Sequence, residues 1–327
     1  MNKNTRIACT GGAGFIASNI IKYLNKKGYN NIDVYEKLDT LHSKMHNILS
    51  CDIKGIYDYK ELLIGNKVDE YDHIIHFGAS SSTTTKPEDY ERVLYQNFYY
   101  TKDLLRMWAY FSQHHGKKDS KFIFASSASV YGNSSDFTER TEGLRPPHLY
   151  GKTKQLCDIE IEQYSNQYFG NHKCYSFRFF NCFGADESHK VERKMASPIT
   201  RFLSDKPPFV LFRDDKNAVF ERDFIWVNDL ADVIYFALTN DCKAGIYNLG
   251  SGEGTSWEKL ASICADVRGL PKDNLFKYEP LPENLQKQYQ SRTVADLTKL
   301  RNQLGYKKEF TSLEDAIKET YKDIKNR

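Results

Sequence analysis

The segment Thr10-Gly11-Gly12-Ala13-Gly14-Phe15-Ile16-Ala17 constrains this chain more than any other. An apolar run from Arg6 precedes it. The stretch that follows sets Ala17, Ile20, Ile21 and Leu24 on one helical face and Lys22, Asn25 and Lys26 on the other. Strand, glycine turn and helix in that order open a βαβ unit. Without a Cβ at Gly11 and Gly14, backbone amides and a helix N-terminus can close on a pyrophosphate. Ala17 takes the last small-residue position, where helix and strand still pack closely. Glu36 ends the second apolar run and is placed to accept hydrogen bonds from an adenosine ribose. A carboxylate there repels a 2′-phosphate, so NAD is the expected cofactor; NADP is the alternative that Lys37 and Lys44 leave open.

Short apolar runs alternate with amphipathic segments through the first half, the rhythm that parallel strands with helical crossovers impose. The fold expected is α/β, a Rossmann-type doubly wound parallel sheet. Strands are predicted at Arg6 to Thr10, Ile32 to Tyr35, Asn47 to Cys51, His73 to Phe77, Lys121 to Ala125 and Lys173 to Phe177. Helices are predicted to start near Gly14, Asp58, Pro87 and Tyr150. The third of these strands would bring Asp52 and Ile53 to the adenine. Past about Asn181 the chain changes to short apolar elements between charged and proline-containing stretches, as expected of a smaller substrate-binding α/β domain. The predicted division is 1–180 for the dinucleotide domain, with a return over about 221–248, and 181–327 for the substrate domain.

With 327 residues the chain is long enough for both, and its net charge of +3 carries no pull toward nucleic acid. No run of 18 apolar residues occurs. The seven cysteines lack a CxxC pair and the nine histidines lack HExxH, so no metal site is expected. These features predict a cytoplasmic protein that binds neither nucleic acid nor membrane; a homo-oligomer is expected.

Tyr150 and Lys154 are four residues apart on a predicted helix and so share a face. A tyrosine ionises near pH 10, and a neighbouring ammonium and an oxidised nicotinamide would bring it into range as a base. Ser126-Ser127-Ala128-Ser129-Val130-Tyr131-Gly132 follows the strand ending at Ala125, at the carboxyl edge where doubly wound sheets bind ligands. Ser127 can hydrogen-bond the reacting substrate oxygen there.

With the TGGAGFIAS start, the serine cluster ending in Val-Tyr-Gly and Tyr-x-x-x-Lys in order, the chain resembles the extended short-chain dehydrogenase/reductase family. Later marks resemble one branch, the ADP-glycero-manno-heptose 6-epimerases: His76 to Thr84, Phe177 to Asn181, Glu187 to Lys190, Met195 to Ser197, Arg222 to Phe224, and Tyr289-Gln290. The resemblance implies an isomerase of nucleotide sugars working by transient oxidation and re-reduction. It makes Tyr150 the acid/base, Ser127 its assistant, Lys154 the nicotinamide-ribose contact and Lys190 a second catalytic residue. It implies cofactor contacts at Phe15, Ile16, Glu36, Lys37, Phe77, Gly78, Ala79, Ser80, Ser81, Asn97 and Cys182. Substrate contacts are implied at Asn181, Lys194, Arg201, Phe212, Arg222 and Tyr289. Arg213 joins them on physical grounds, as a guanidinium fork suited to a diphosphate.

The chain departs from the branch at Ala17, at Phe77 where an acidic or amide residue is usual, over Thr85 to Asp89, and in the longer segment Val191 to Lys194. Three readings stay open: the 6-epimerase; a 4-epimerase, dehydratase or net dehydrogenase on another nucleotide sugar; and a non-enzymatic dinucleotide sensor. A dehydratase would carry acidic residues beside the serine cluster, where this chain has Ala128-Ser129. A sensor would have no use for Tyr150 and Lys154.

Overall fold

The structure, a computed structural model, describes residues 1–166, 172–191, 195–213, 220–282 and 290–326. β1 (Ile7–Thr10) leads through the glycine turn into α1 (Phe15–Lys26). β2 (Ile32–Glu36), β3 (Gly55–Asp58), β4 (His73–His76), β5 (Lys121–Ser127) and β6 (Cys174–Phe179) join it in parallel. The crossover between β4 and β5 carries α2 (Tyr90–Leu94) and α3 (Tyr100–His114), joined by a π-helical turn over Tyr95–Tyr99. α4 (Leu149–Ser165) links β5 to β6.

The chain then forms β7 (Asn181–Phe183), α5 (Ser188–Val191), α6 (Pro198–Ser204), β8 (Phe209–Arg213), β9 (Glu221–Trp226), α7 (Val227–Thr239) and β10 (Gly245–Leu249). β11 (Gly254–Ser256), α8 (Trp257–Arg268), β12 (Phe276–Pro280), β13 (Arg292–Thr293) and a helix over Leu313–Lys325 complete it. β10 pairs with β6, so the large sheet runs β10-β6-β5-β4-β1-β2-β3. It is the doubly wound Rossmann-type α/β fold, and its order reverses beside β1.

Successive strand residues face opposite layers. Ile7 and Cys9 of β1, Val34, Ile75, Ile123 and Phe177 pack with Ile20, Ile21 and Leu24 of α1 and Leu230 and Ile234 of α7. Ala8, Tyr35, Ile74, Phe122 and Phe124 pack instead with Leu104 and Trp108 of α3 and Ile161 of α4. Coverage on both faces explains why these strands read as unbroken apolar runs. A separate cluster joins Phe183, Phe202, Phe209, Phe224, Leu260 and Ile317 in the second half.

Two expectations are corrected. The third strand is Gly55–Asp58, whereas 45–51 form a short 3-10 turn (Met45–Asn47) and further turns. Ile48 packs with Ala13 and Leu41 beneath the glycine turn, Asn47 donates to the Ala13 carbonyl at 2.9 Å, and Leu49 is exposed, so this run plugs the turn and does not extend. The true strand is a half-buried sheet edge and needs no apolar run. The strand expected near Phe224 pairs with β7, β11 and β13 outside the large sheet; α7, packed on α1, and β10 make the return.

Candidate active site

The β1–α1 turn is built as the glycines require. Gly11 has φ +67°, and a Cβ there would lie 2.7 Å from the Gly78 Cα, so the ends of β1 and β4 touch backbone to backbone. Gly14 is the N-cap of α1, with no capping side chain and no acidic residue in the first turn. The orphan amides of that turn, at Phe15 and Ile16 among them, leave an anion site. Phe15 itself is buried.

Glu36 is buried at the carboxyl end of β2. It accepts from the amides of Ala13 at 3.3 Å and Lys37 at 3.0 Å and pairs with Lys44 at 3.2 Å. A cavity of about 200 Å³ opens beside it, lined by Gly11, Lys37, Gly78, Ala79 and Ser80, and also by Tyr59, Arg92, Gln96 and Tyr100. These last four were missed in the sequence. Tyr59 follows the true third strand directly, so correct placement of β3 would have found it. Asp52 and Ile53 precede that strand: Asp52 is hydrogen-bonded through its backbone to the Asn25 side chain at the amino edge of the sheet, and Ile53 packs into the core. Neither stands at a strand's carboxyl end, and the adenine contact expected of them is withdrawn. A larger cleft of about 910 Å³ lies at that same amino edge, where Lys173 is already paired with Asp119 and Asp241 and Lys117 with Asp69.

β5 and α4 bring Ser127, Tyr150 and Lys154 together. Ser127 ends β5, and its hydroxyl accepts from the Ser129 amide at 3.2 Å. His148 caps α4 by accepting from the Gly151 amide at 3.1 Å, fixing the first turn that carries Tyr150. Burial raises the phenol's pKa and a hydrogen bond with Ser127 opposes the rise, so the free protein holds Tyr150 protonated. Lys154 is buried, donates to the Ala125 carbonyl at 2.6 Å, and lies over the rings of Phe124 (4.4 Å) and Tyr150 (5.8 Å). Burial pushes the ammonium down to about 8, against the pull of Cys157 and Asp158. The hydroxyls of Ser126 and Ser129 are buried and have no hydrogen-bond partner.

Asn97, in the π-helical turn, ties the β4 loop to α4 through Ser80 and Thr153. Phe77 packs on Phe179, with Ser81 beyond it in the same loop. Lys190, on α5, sits over the Phe15 ring at 4.7 Å, and its charge opposes the burial that raises the Cys182 thiol on β7. Asn181 donates to the Asp223 carbonyl at 2.8 Å. Arg201 is exposed on α6, Phe212 is half-buried on β8, and Arg213 stacks over Tyr278 at 3.5 Å. Arg222 of β9 donates to the Glu221 carbonyl and faces Trp257 at 5.9 Å. Lys194 and Tyr289 lie outside the described residues. Among the described residues no group of three or more histidine, cysteine or carboxylate side chains could hold a metal, and no helix is long and apolar enough to cross a membrane.

A glycine cradle, an uncapped helix start, a buried carboxylate ending β2 and a tyrosine–lysine pair at the carboxyl edge of a doubly wound sheet are together the arrangement of a dinucleotide-dependent enzyme. The profile of the NAD dependent epimerase/dehydratase family matches residues 7–250, and the chain belongs to that family, with NAD as its cofactor. Among solved structures it is similar to the UDP-N-acetylglucosamine 4-epimerase of Methanobrevibacter ruminantium, in complex with UDP-N-acetylmuramic acid (TM-score 0.79, 23% identity, 99% of each chain). It is similar too to the ADP-L-glycero-D-manno-heptose-6-epimerase of Helicobacter pylori (TM-score 0.78, 23% identity, 99% of this chain and 97% of that one). The UDP-glucose 4-epimerase of Thermus thermophilus, in complex with NAD, gives a TM-score of 0.73 at 23% identity over 98% of this chain and 99% of that one.

Proposed function

We propose that the chain is a nucleotide-sugar epimerase acting on ADP-glycero-manno-heptose at the exocyclic carbon. Bound NAD would supply a hydride acceptor that returns the hydride within one turnover. The Gly11–Gly14 turn would hold its pyrophosphate, Glu36 its adenosine ribose, and Lys154 its nicotinamide ribose. Tyr150, protonated in the free protein, would first release that proton to solvent with the cofactor's positive ring beside it; the phenolate then takes the proton that the substrate oxygen loses on oxidation and returns it on reduction, and Ser127 hydrogen-bonds that oxygen. Lys154, charged at neutral pH, favours the phenolate. Asn181, Arg201, Phe212, Arg213 and Arg222 are the substrate contacts of this reading, together with Lys194 and Tyr289.

The observation that carries the choice of sugar is Lys190. It comes from α5, an element separate from the helix of Tyr150, yet its ammonium rests on Phe15 at the dinucleotide turn. Re-reduction from the opposite face of a rotated carbonyl needs a second proton donor, and Lys190 is a side chain of the right chemistry. The test is proton NMR of the protein with NAD and ADP-D-glycero-D-manno-heptose. Appearance of the L-glycero epimer without accumulation of reduced nicotinamide, and its severe slowing by Lys190→Met with NAD binding retained, supports the reading. An unchanged heptose spectrum with turnover of a UDP-hexose would make the protein a 4-epimerase instead.

A further inference from the structure

His76, the last residue of β4, is 1% exposed and sits in register with Thr10 of β1. Its Nδ1 is 2.5 Å from Thr10 Oγ1 and its Nε2 is 2.8 Å from Thr101 Oγ1. One placement of the protons satisfies every bond around it. Thr101 Oγ1 donates to the Asn97 carbonyl at 2.7 Å. A hydroxyl has one proton, so with that proton on the Asn97 carbonyl Thr101 accepts from Nε2–H. Thr10 Oγ1 accepts from the Gly78 amide at 3.1 Å, and its own proton goes to the bare Nδ1. In that placement the imidazole is neutral, with its proton on Nε2.

The run continues on the far side. Asn97 Oδ1 accepts from the Ser80 amide at 2.8 Å, and its Nδ2 donates to the Ser80 carbonyl at 2.9 Å and to Thr153 Oγ1 at 3.1 Å. Thr153 Oγ1 in turn donates to the Tyr150 carbonyl at 2.8 Å. Gly78 and Tyr150 are thus joined through one run of hydrogen bonds that passes through His76 and Asn97. The rings of Tyr100, Phe122 and Phe124 enclose the imidazole, and burial, with the charge of Lys154, pushes it down to about 3.

We propose that His76 is a positioning residue for hydride transfer, a fixed neutral tautomer that sets the spacing between the Thr10–Gly11 turn and the helix bearing Tyr150 and Lys154. The proposal rests on the reading that these two elements hold opposite ends of one dinucleotide. Such a spacing matters because misplacement by about 1 Å costs on the order of 100-fold in rate. Protonation of Nδ1, or loss of either threonine proton, would break the run beside the glycine turn or beside the π-helical turn.

Two measurements on the full chain test it. In ¹⁵N NMR of histidine-labelled protein, the resonance that disappears in His76→Gln should show a protonated Nε2 and a bare Nδ1, unchanged between about pH 8 and 5. An Nδ1–H tautomer or a titrating ring overturns the proposal. In calorimetry, Thr101→Val should raise the NAD dissociation constant about tenfold, or about 1.4 kcal/mol, and Thr101→Ser should restore it. A Thr101→Val protein that melts earlier but binds NAD like the wild type would make the network purely structural and also overturn it. Neither readout uses the sugar: if Tyr150→Phe remained active, the reading of the catalytic site would fail while these two results stood or fell separately.

Discussion

Gly11→Ala tests the dinucleotide turn most directly. At φ +67° a residue with a Cβ pays about 1–2 kcal/mol for the left-handed conformation. The added carbon would also lie 2.7 Å from both the Cα and the amide nitrogen of Gly78 and 2.9 Å from the Phe77 carbonyl carbon, all of them backbone. No side chain can swing aside, so the ends of β1 and β4 must part by about 0.7 Å to reach ordinary contact. Overpacking of this kind costs about 1–3 kcal/mol. The expected destabilisation is about 2–5 kcal/mol in chemical denaturation, with NAD affinity reduced at least about tenfold in calorimetry because the turn proposed to hold the pyrophosphate is displaced. Gly143→Ala separates the two causes: Gly143 has φ +72° with nothing within 4 Å, so it should lose about 1–2 kcal/mol and keep its NAD affinity. A Gly11→Ala protein no less stable than Gly143→Ala, with unchanged NAD binding, would refute the close approach of the two strand ends.

Tyr150→Phe should lower kcat by about 10²- to 10⁴-fold while the melting temperature and NAD dissociation constant stay near wild type; retained turnover would remove Tyr150 from the chemistry. Asp158→Ala strips the partner from Arg178, with both side chains fully buried and 2.8 Å apart, and should cost about 3–5 kcal/mol in urea melts. A loss under about 1 kcal/mol would mean that water or another carboxylate compensates the guanidinium. His73 and His76 are held down to about 4 and about 3 by burial, against about 6.5 when unfolded. Below the unfolded value the unfolded chain binds more protons, so stability falls as the pH drops, by about 2 kcal/mol for each histidine at pH 5 relative to pH 7. A flat urea midpoint across that range would contradict their burial as neutral rings.

The parts of the fold legible in the sequence are those whose cause is local. Gly11 sits where only a residue without a Cβ can turn, and the helix after Gly14 shows its buried face at the period of a helix, so turn and element order could be read directly. The large sheet's alternation was hidden because both faces are covered, but the apolar runs themselves still marked β1, β2, β4, β5 and β6. The failure at Asn47–Cys51 has the opposite cause: Ile48 is apolar because it plugs the glycine turn, and β3 is polar because it is an edge. Arg92, Gln96 and Tyr100 reach the cavity from a crossover whose placement depends on tertiary packing, which no spacing in the chain records, whereas Tyr59 was hidden only by the misplaced third strand. Ser127, Tyr150 and Lys154 were visible as types and spacings, yet the features that set their chemistry were not. These are the Ala125 carbonyl under Lys154, the ring of Phe124 and the cap from His148.

The position of the site follows from how far each strand runs. β1 and β4 stop together, with Thr10 opposite His76, and β4 and β5 are paired as far as His76 and Phe124. β5 then continues alone past β4 through Ala125, Ser126 and Ser127, held on its other side by β6 up to Phe179. This overhang separates two kinds of backbone. Where the strands stop, at Thr10 and His76, the chain turns through glycines and exposes amides suited to phosphate. Where β5 runs on, it carries hydroxyls and a carbonyl to the first two turns of α4, where Tyr150 and Lys154 meet them. A dinucleotide laid across the step would have its pyrophosphate at the amides and its reactive ring at the hydroxyls, and His76 stands at the corner between them. The candidate site therefore lies at the carboxyl edge where β5 outruns β4, and in the proposed reading the second half of the chain, with Lys190 at its near side, selects the sugar.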